Sequence, residues 1–394
     1  MNIDPVFGAD RYARYANLRA DAPVERIKTP PGTPGPAELW LVSRHDDVVA
    51  ALHDARLHLE QPPQYQFGIR TLLNTDPPDH TRLRRVVSGL FTRKRIQSLR
   101  IAVQAIADDL IDHLPAGETI DFIERFAVPL PITVICQMLG IPADDWRLFR
   151  EWTPKIFNTD EESVTTRPAA VAQLIQYMGG LVRTKRDHPA DDVTTTVIQN
   201  GKDVLSEQEL LSTLMLLLIA GHETTVNLLG NGLLALIQHP DQLELLRSDP
   251  ARTPDAVEEL LRYDSPVSHA TIRYASEDLT IAGVRIAAGE GLLLALGSAN
   301  HDPALVSEAD DLNVQRNGNQ HLAFGQGLHY CLGAPLARLE GQLAFDTLLR
   351  RSSEISLAVE PKELQWRISP LMRGLHALPI QLSSIAPAEL AATA

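Results

Sequence analysis

One long apolar segment, from Ser206 to about His239, constrains the fold of this chain more than any other feature. Ser206 and Glu209 have the spacing of a capping box, which predicts that a helix begins at this point. Apolar residues then occur all around the helical axis, and this pattern is typical of a helix buried on every side. At 1.5 Å per residue such a helix is roughly 50 Å long, so it must cross a whole domain.

The rest of the chain predicts further helices and a few short strands. From Pro77 to about residue 263 the apolar pattern is largely helical, residues 271–296 alternate β-prone and turn residues, and a helix follows Cys331. The leucine- and alanine-rich composition also favours helix. No linker-like segment interrupts the pattern, so we expect a single domain over residues 1–394. Its fold class should be mostly α with small β-sheets, that is, α+β.

Charge and cysteine content restrict the partners and the compartment. The formal net charge of −14 argues against binding to nucleic acid. Two cysteines, Cys136 and Cys331, are too few for a disulfide framework and favour a reducing compartment. The N-terminus lacks the pattern of a signal peptide, and the longest apolar run, 214–221, is too short for a membrane span. We expect a soluble cytoplasmic protein with neither a membrane nor a nucleic-acid partner.

The segment from Phe324 to Gly333, Phe-Gly-Gln-Gly-Leu-His-Tyr-Cys-Leu-Gly, has the residues that a metal-binding thiolate requires. Gly325 and Gly327 allow the backbone to approach a bulky group and to adopt positive φ. Cys331 is expected to open a helix, whose N-terminal dipole favours an anionic sulfur. The alternative is a small buried structural cysteine. That alternative is our interpretation of Cys136, which lies in an apolar helical segment.

This segment resembles the haem-binding signature F-G-x-G-x-H-x-C-x-G of the cytochromes P-450, and it has every fixed residue: Phe324, Gly325, Gly327, His329, Cys331 and Gly333. The resemblance extends from roughly residue 40 to residue 380. It implies a fold whose long central helix passes over haem b, with Cys331 as the iron ligand. It also implies a monooxygenase that inserts one atom of dioxygen into an organic substrate and reduces the other to water.

Within the long helix, the stretch Ala220-Gly221-His222-Glu223-Thr224 is similar to the oxygen-activation segment of the same family, A-G-x-[DE]-T. The resemblance assigns Thr224 to hydrogen-bond dioxygen and Glu223 to deliver protons from solvent, as catalytic residues. It places Ala220 and Gly221 against the cofactor. The alternative is a local kink, because threonine can bond back to the carbonyl four residues earlier.

The resemblance also assigns haem contacts and a structural triad. Haem contacts are implied for six residues outside the long helix: His80, Arg84, Arg273, His329, Phe324 and Gly325. The first four would hold the two haem propionates, which need donors or cations as partners. Glu259 and Arg262 form an E-x-x-R pair, and Arg316 completes the triad that should hold the irregular segment before the cysteine.

Substrate contacts are implied above the distal face of the haem, in four parts of the chain. They are Leu72 within the loop 64–73, then Leu217, Val267, His269, Ala270, Leu371 and Met372. The set is mainly apolar, so we expect an apolar small organic substrate. Segments 300–303 and 366–379 look most like actinobacterial members that act on secondary metabolites, which favours a polyketide or macrolide. Fatty acids, terpenoids and steroids remain open.

Residues 82–100 contain seven basic residues and no acidic one. They are either a solvated helix face or a docking surface for an acidic electron donor. The expected donor is a ferredoxin with an NAD(P)H-dependent reductase, because no flavin or iron–sulfur domain is recognisable in the chain. The residues expected to dock it are Arg82, Arg85, Arg93, Lys94 and Arg95.

Three other functions remain to be weighed against the monooxygenase. A peroxide-driven haem enzyme would not need the acid–alcohol pair of Glu223 and Thr224. A non-catalytic haem-binding protein would leave the same pair without a role. A zinc hydrolase built on His222 and Glu223 lacks the second histidine of H-E-x-x-H, because the sequence here is His-Glu-Thr-Thr.

Overall fold

The helices account for most of the secondary structure in the computed structural model, which describes residues 4–33, 35–62, 70–157 and 161–388. The prediction of a mostly helical chain with small sheets is confirmed. The helices in these ranges are α1 (Arg11–Asp21), α2 (His45–His53), α3 (Asp79–Ser88), α4 (Arg93–Gln97), α5 (Arg100–Asp112), α6 (Pro129–Leu139), α7 (Trp146–Phe157), α8 (Glu161–Asp187), α9 (Val193–Gly201), α10 (Glu207–Gln238), α11 (Pro240–Ser248), α12 (Thr253–Tyr263), α13 (Leu296–Ala299) and α14 (Ala334–Arg351).

The strands of the described residues form three sheets. They are β1 (Val24–Lys28), β2 (Glu38–Val42), β3 (Leu57–His58), β4 (Thr119–Asp121), β5 (Arg273–Ala275), β6 (Leu279–Ile281), β7 (Val284–Ile286), β8 (Gly291–Leu294), β9 (Ile355–Leu357) and β10 (Pro379–Leu382). The largest sheet has the order β1-β2-β8-β5-β3, the second β4-β10-β9 and the third β6-β7. Only β2 and β8 pair in parallel among these ladders. Strands β5 to β8 occupy the region predicted to alternate between strands and turns.

Helix α10 is the long central helix that the sequence predicts, and it is 32 residues long. Its capping box is present: the Glu209 backbone N–H donates to Ser206 Oγ at 3.2 Å, and the Ser206 N–H donates to Glu209 Oε2 at 2.8 Å. In the described ranges α10 is the one helix long and apolar enough, by length and composition, to cross a membrane. Because 72% of that apolar window is buried inside the protein, its apolar surface is used in the core.

Close contacts fix α10 between α6 and α14. A Cβ added at Gly221 would lie 3.0 Å from Ile135 of α6, and one added at Gly232 would lie 2.7 Å from Phe345 of α14. Glycine at these two positions therefore lets the helices approach closely. Since α14 begins three residues after Cys331, the packing of α10 on α14 ties the central helix to the cysteine loop.

The five-stranded sheet separates two smaller apolar clusters. Side chains alternate along β8, so Leu292 and Leu294 belong to one cluster and Leu293 to the other. The cluster with Leu293 includes Phe7 and Tyr15 from the N-terminal segment and helix α1. Helix α1 is therefore part of the folded core beside the sheet.

Candidate active site

The cysteine loop runs from Phe324 through a short 3₁₀ turn, Gly327–His329, to helix α14. Gly325 and Gly327 have φ of 68° and 75°, the left-handed conformation that glycine adopts most readily. The backbone N–H of Cys331 donates to the Phe324 carbonyl at 3.0 Å, which closes the loop. These features give the cysteine a defined place at the end of the loop.

The position of Cys331 relative to α14 differs from the prediction. Helix α14 begins at Ala334, so Cys331 precedes the helix and does not open it. Burial raises the pKa of the Cys331 thiol, and the backbone N–H groups of Gly333 and Ala334 oppose this rise. The sulfur therefore lies against the N–H groups at the start of the helix, which favour an anionic thiolate.

The two cysteines have different surroundings. The Cys331 side chain is accessible to solvent, although many protein atoms lie near its sulfur. Cys136, in contrast, is buried in α6. Burial alone raises the pKa of Cys136 to about 12. Cys136 is thus an uncharged core residue, while Cys331 is an accessible candidate for a ligand.

A group of unpartnered donors lies beside the cysteine loop. The rings of His80 on α3 and His329 in the loop have centroids 4.0 Å apart. His80 is only 1% exposed, yet among the described residues neither of its ring nitrogens has a hydrogen-bond partner, and the same holds for Nε of Arg273. Arg84 Nη2 donates to the Tyr330 carbonyl at 2.6 Å. The structure therefore brings the four residues assigned to the propionates to one place.

The unpartnered nitrogens of His80 and Arg273 are donors of the kind that bind carboxylates. Burial, His80 and Arg273 together lower the pKa of His329 to about 4, and the opposing effect of Asp76 is too small to offset them. Buried donors without acceptors are rare in folded proteins, and each one costs free energy. Two propionate carboxylates would supply the acceptors that the protein lacks here, so the residues present fit a haem.

The middle of α10 has one open face. Between Leu210 and Leu236, all of which are described, Ala220 is the only exposed residue, and Gly221 and Thr224 beside it are half-buried. Leu217 lies one turn earlier on the same side. The Thr224 hydroxyl donates to the Ala220 carbonyl at 3.0 Å, which is the local bond that the kink alternative requires. The structure therefore contains both the open face around Ala220 and the local hydrogen bond that a kink requires.

Glu223 lies away from bulk solvent and has a partner that the sequence did not indicate. It is 4% exposed and forms an ion pair with Arg367, which lies more than a hundred residues later in the chain. His222 is also buried, and its Nδ1 lies 2.8 Å from the Leu218 carbonyl. Within the described ranges no three metal-ligating side chains converge. His222 and Glu223 are thus each engaged within the protein fold.

The structural triad is assembled in the core. Arg262 Nε and Nη2 donate to the two Glu259 oxygens, both at 2.8 Å, and Arg316 Nε lies 3.3 Å from Glu259 Oε2. Arg262 also donates to the carbonyls of Asn300 and Ala309 at 3.0 and 2.6 Å. The triad therefore fixes the irregular segment between α13 and the cysteine loop.

Two segments expected to contact the substrate pair with each other. Val267 and Met372 form a β-bridge, and both are half-buried. Ala270 is half-buried as well, and its N–H donates to the Leu294 carbonyl at 2.9 Å. Leu371 packs against the N-terminal cluster and Leu72 lies in the main core. Of the expected loop 64–73, residues 64–69 lie outside the described residues.

The expectation that His269 lines the substrate pocket is wrong. The His269 ring is completely buried against Phe7 and Tyr15, and its Nε2 is 2.9 Å from the Tyr15 hydroxyl. These contacts direct the His269 side chain towards the N-terminal cluster. Burial, with a contribution from Arg11, lowers its pKa to about 3.

The basic segment is only partly available for docking. Arg82 donates to both Asp79 and Glu209, and Glu209 is the third residue of α10, where it completes the capping box with Ser206. Its charge is neutralised, so the expectation that it contributes to a docking surface is corrected. Four other cations have no ion-pair partner in the part of the chain described: Arg85, Arg93, Lys94 and Arg95. Arg85 lies on α3, and the other three lie on α4, which packs against α14, the helix that follows the cysteine loop.

This fold, with a cysteine loop, a donor cluster and an acid–alcohol pair on the central helix, is typical of the haem-thiolate enzymes. A family model described as cytochrome P450, written P-450 here, matches residues 120–368. The chain is 40% identical over 395 residues to "Polyketide biosynthesis cytochrome P-450 PksS" of Bacillus subtilis, covering 96% of this chain and 97% of the relative. It is also 40% identical over 390 residues to "Mycinamicin IV hydroxylase/epoxidase" of Micromonospora griseorubida, covering 96% and 97%.

A solved structure has the same architecture. The tirandamycin C-bound P-450 monooxygenase TamI superposes with a TM-score of 0.90 at 42% identity, over 96% of this chain and 99% of that one. The chain belongs to the cytochrome P-450 family. Haem b is the cofactor of this family, and the relatives favour a monooxygenase over the peroxide-driven and non-catalytic alternatives.

Proposed function

We propose that Cys331 binds the haem iron and that the enzyme hydroxylates or epoxidises an apolar small molecule. The observation that carries the assignment is the group of donors without acceptors, His80 and Arg273, beside the only exposed cysteine of the described chain. His329 and Arg84 complete the propionate site. Phe324 and Gly325 lie at the start of the loop, and Ala220 and Gly221 belong to the open face of α10.

When bound, the haem supplies the chemistry of dioxygen cleavage, which consumes two electrons and two protons. Thr224 would donate a hydrogen bond to dioxygen through its Oγ1, which in this structure donates to the Ala220 carbonyl. The Glu223 carboxylate would take up a proton from solvent and pass it, as the carboxylic acid, towards the Thr224 hydroxyl. The Arg367 side chain, 16% exposed, pairs with Glu223 and connects it to the surface.

The substrate is proposed to be a secondary metabolite of the polyketide or macrolide type. Support comes from relatives named for polyketide biosynthesis and for mycinamicin IV, and from a neighbour bound to tirandamycin C. Leu217, Val267 and Met372 offer apolar surface of the kind that such molecules contact. A screen of macrolides, fatty acids, terpenoids and steroids for a haem spin-state shift would identify the class. A shift with fatty acids alone would overturn this assignment.

Electrons are proposed to arrive from a separate acidic ferredoxin and its NAD(P)H-dependent reductase. The unpaired cations lie on α3 and α4, α4 packs against α14, the helix that follows the cysteine loop, and the protein otherwise carries excess negative charge. Complementary charge speeds encounter with an acidic partner. The docking residues are then Arg85, Arg93, Lys94 and Arg95.

We also propose that the enzyme works as one catalytic domain over residues 1–394 in the cytoplasm, without a membrane or nucleic-acid partner. Two observations support this proposal: both cysteines are unpaired thiols, and the apolar surface of α10 is largely buried. The net charge of −14 is consistent with a protein that repels nucleic acid.

A carbon monoxide difference spectrum tests the proposed ligand. The reduced wild-type holoprotein should give the red-shifted Soret band of thiolate ligation, and Cys331→Ala should abolish it. Cys136→Ala is the matched control, because it removes the other thiol of the chain without touching the loop. Retention of the wild-type spectrum by Cys331→Ala, or failure of the wild type to bind added hemin, would overturn the proposal.

A further inference from the structure

Arg338 on α14 contacts two residues of the cysteine loop at once. Its guanidinium lies over the Phe324 ring, 4.5 Å from the centroid, and its Nη1 donates to the Tyr330 hydroxyl at 3.3 Å. The Phe324 and Tyr330 rings lie 6.4 Å apart in an edge-to-face arrangement. Since Tyr330 directly precedes Cys331, this arginine reaches both ends of the loop that presents the cysteine.

Glu258 on α12 holds the guanidinium in place. Arg338 Nε and Nη2 donate to the two Glu258 oxygens at 2.6 and 2.8 Å, which is a bidentate pair. Burial acts to raise the pKa of Glu258, but hydrogen bonds from His321 and Arg338 outweigh it and bring the pKa to about 2. Glu258 is therefore an ionised carboxylate at neutral pH.

His321 adds a third, neutral donor. Its Nδ1 accepts a hydrogen bond from the Ala323 N–H at 3.2 Å, so the ring proton must lie on Nε2, which donates to Glu258 at 3.1 Å. The His321 ring centroid lies 5.8 Å from that of Phe324. The group contains one positive and one negative side chain, so its charges balance, and both the imidazole and the guanidinium lie close to the Phe324 ring.

We propose that Glu258, Arg338 and His321 form a charge-balanced clamp that positions the cysteine loop and sets the reduction potential of the haem iron. The clamp acts through Phe324, whose carbonyl accepts the Cys331 N–H at 3.0 Å, and through the Tyr330 hydroxyl. Its members are positioning residues, because none of them needs to touch the haem. The inference rests on the proposed role of Cys331 as iron ligand.

The two charged members should act on the potential in opposite directions. Reduction adds one negative charge to the haem site, and a nearby positive charge stabilises the reduced state. Loss of the Glu258 charge leaves Arg338 uncompensated and should make the midpoint potential more positive. Loss of the Arg338 charge leaves Glu258 uncompensated and should make it more negative. A general loosening of the loop would not produce opposite signs.

Spectroelectrochemical titration of the holoprotein tests this proposal, with Glu258→Gln, Arg338→Gln, the double variant and Arg338→Lys. Glu258→Gln should shift the midpoint potential to more positive values and Arg338→Gln to more negative values. The double variant, with no net change of charge, should lie between the two. Arg338→Lys keeps the charge and should stay closest to the wild type.

A matched control removes one negative charge elsewhere. Glu207 forms a comparable bidentate pair with Arg186 at the start of α10, roughly 20 Å along the helix from Ala220, and Glu207→Gln should leave the potential unchanged. Single variants that match this control, or that shift in the same direction, would overturn the clamp. If Glu258→Gln binds no haem, Arg338→Gln decides alone: a negative shift supports the proposal and no shift overturns it. A wild type without a thiolate-type carbon monoxide spectrum would instead contradict the ligand assignment itself.

Discussion

The imidazole rings of His80 and His329 lie 4.0 Å apart with an interplanar angle of 41°, although one belongs to α3 and the other to the cysteine loop. His80 is buried, and the described residues offer neither of its nitrogens a partner. Burial lowers the pKa of both rings, and both are close to positive charge. This juxtaposition is costly for the protein alone and becomes favourable when an anionic ligand lies beside it.

Loss of His80 should therefore weaken haem retention. A hydrogen bond to a charged group contributes about 1.5–3 kcal/mol, so His80→Leu should raise the rate of haem loss roughly 10- to 100-fold. Transfer of haem to an excess of apomyoglobin measures that rate. His188→Leu, at an exposed position after α8, is the control, and equal rates for the two variants would contradict the propionate assignment.

The buried triad predicts a large loss of stability. Glu259 and Arg262 are both 0% exposed, and removal of one partner of a buried pair costs about 3–5 kcal/mol because the other charge is left without compensation. Glu259→Ala should lower the free energy of unfolding by about that amount in a urea titration. Arg316→Ala should cost less, since its side chain is 11% exposed and can be solvated. The reverse order would contradict the scaffold role.

His269 predicts a dependence of stability on pH. Its pKa falls from 6.5 in the unfolded chain to about 3 in the folded protein, so the unfolded state binds more protons between these values. Stability should rise with pH through this window, by at most about 1.4 kcal/mol per pH unit, and reach its full value above the unfolded pKa. In His269→Gln the part of the slope due to this residue should disappear. Urea titrations at about pH 5 and pH 7.5 compare the two proteins, and identical slopes would contradict the prediction.

The acid–alcohol pair on α10 predicts a selective loss of coupling. Thr224→Ala should bind a substrate identified by the spin-state screen normally, but more of the NAD(P)H consumed should yield peroxide instead of product. Thr224→Ser keeps the hydroxyl and should behave like the wild type. Glu223→Gln should slow product formation about 100-fold, the lower range for proton transfer by a side chain. Product and peroxide per NAD(P)H measure both effects, and unchanged coupling in Thr224→Ala would exclude the role of its hydroxyl.

The basic surface predicts a salt-sensitive interaction. The charge reversals Arg93→Glu, Lys94→Glu and Arg95→Glu, combined in one variant, should slow reduction by an acidic plant-type ferredoxin about 10-fold or more at low salt. The difference should shrink as salt is raised, because screening shortens the range of the charges. Lys28→Glu on the outer strand β1 is the control, and stopped-flow reduction is the measurement. An equal effect of the control would show that net charge alone is responsible.

The sequence was sufficient for features that depend on neighbours along the chain. The capping box of Ser206 and Glu209 and the apolar pattern after it predicted α10 almost to its last residue. The glycines of the cysteine loop predicted the positive φ that the structure has at Gly325 and Gly327. Each of these depends on local sterics or helical periodicity, so a short stretch of sequence contains the information.

Errors arose where partners come from distant parts of the chain. No local signal places Arg367 beside Glu223, Glu258 beside Arg338, or Tyr15 beside His269. The neutralisation of Arg82 by Glu209 depends in the same way on how α3 packs against the start of α10. A basic or titratable residue read from sequence alone has an unknown neighbour, and the neighbour decides its charge and its exposure.

The sequence by itself therefore determined the class of fold, the position of the central helix and the choice of Cys331 as the candidate ligand. Helical periodicity, helix caps and the ten-residue cysteine loop are each contained in a short stretch of the chain. Tertiary structure alone decided which buried donors lack acceptors, which cations are free and which acids are paired. The reason is physical: electrostatic and hydrogen-bonding energies depend on distance and burial in space, and these are set only when separate helices and strands pack together.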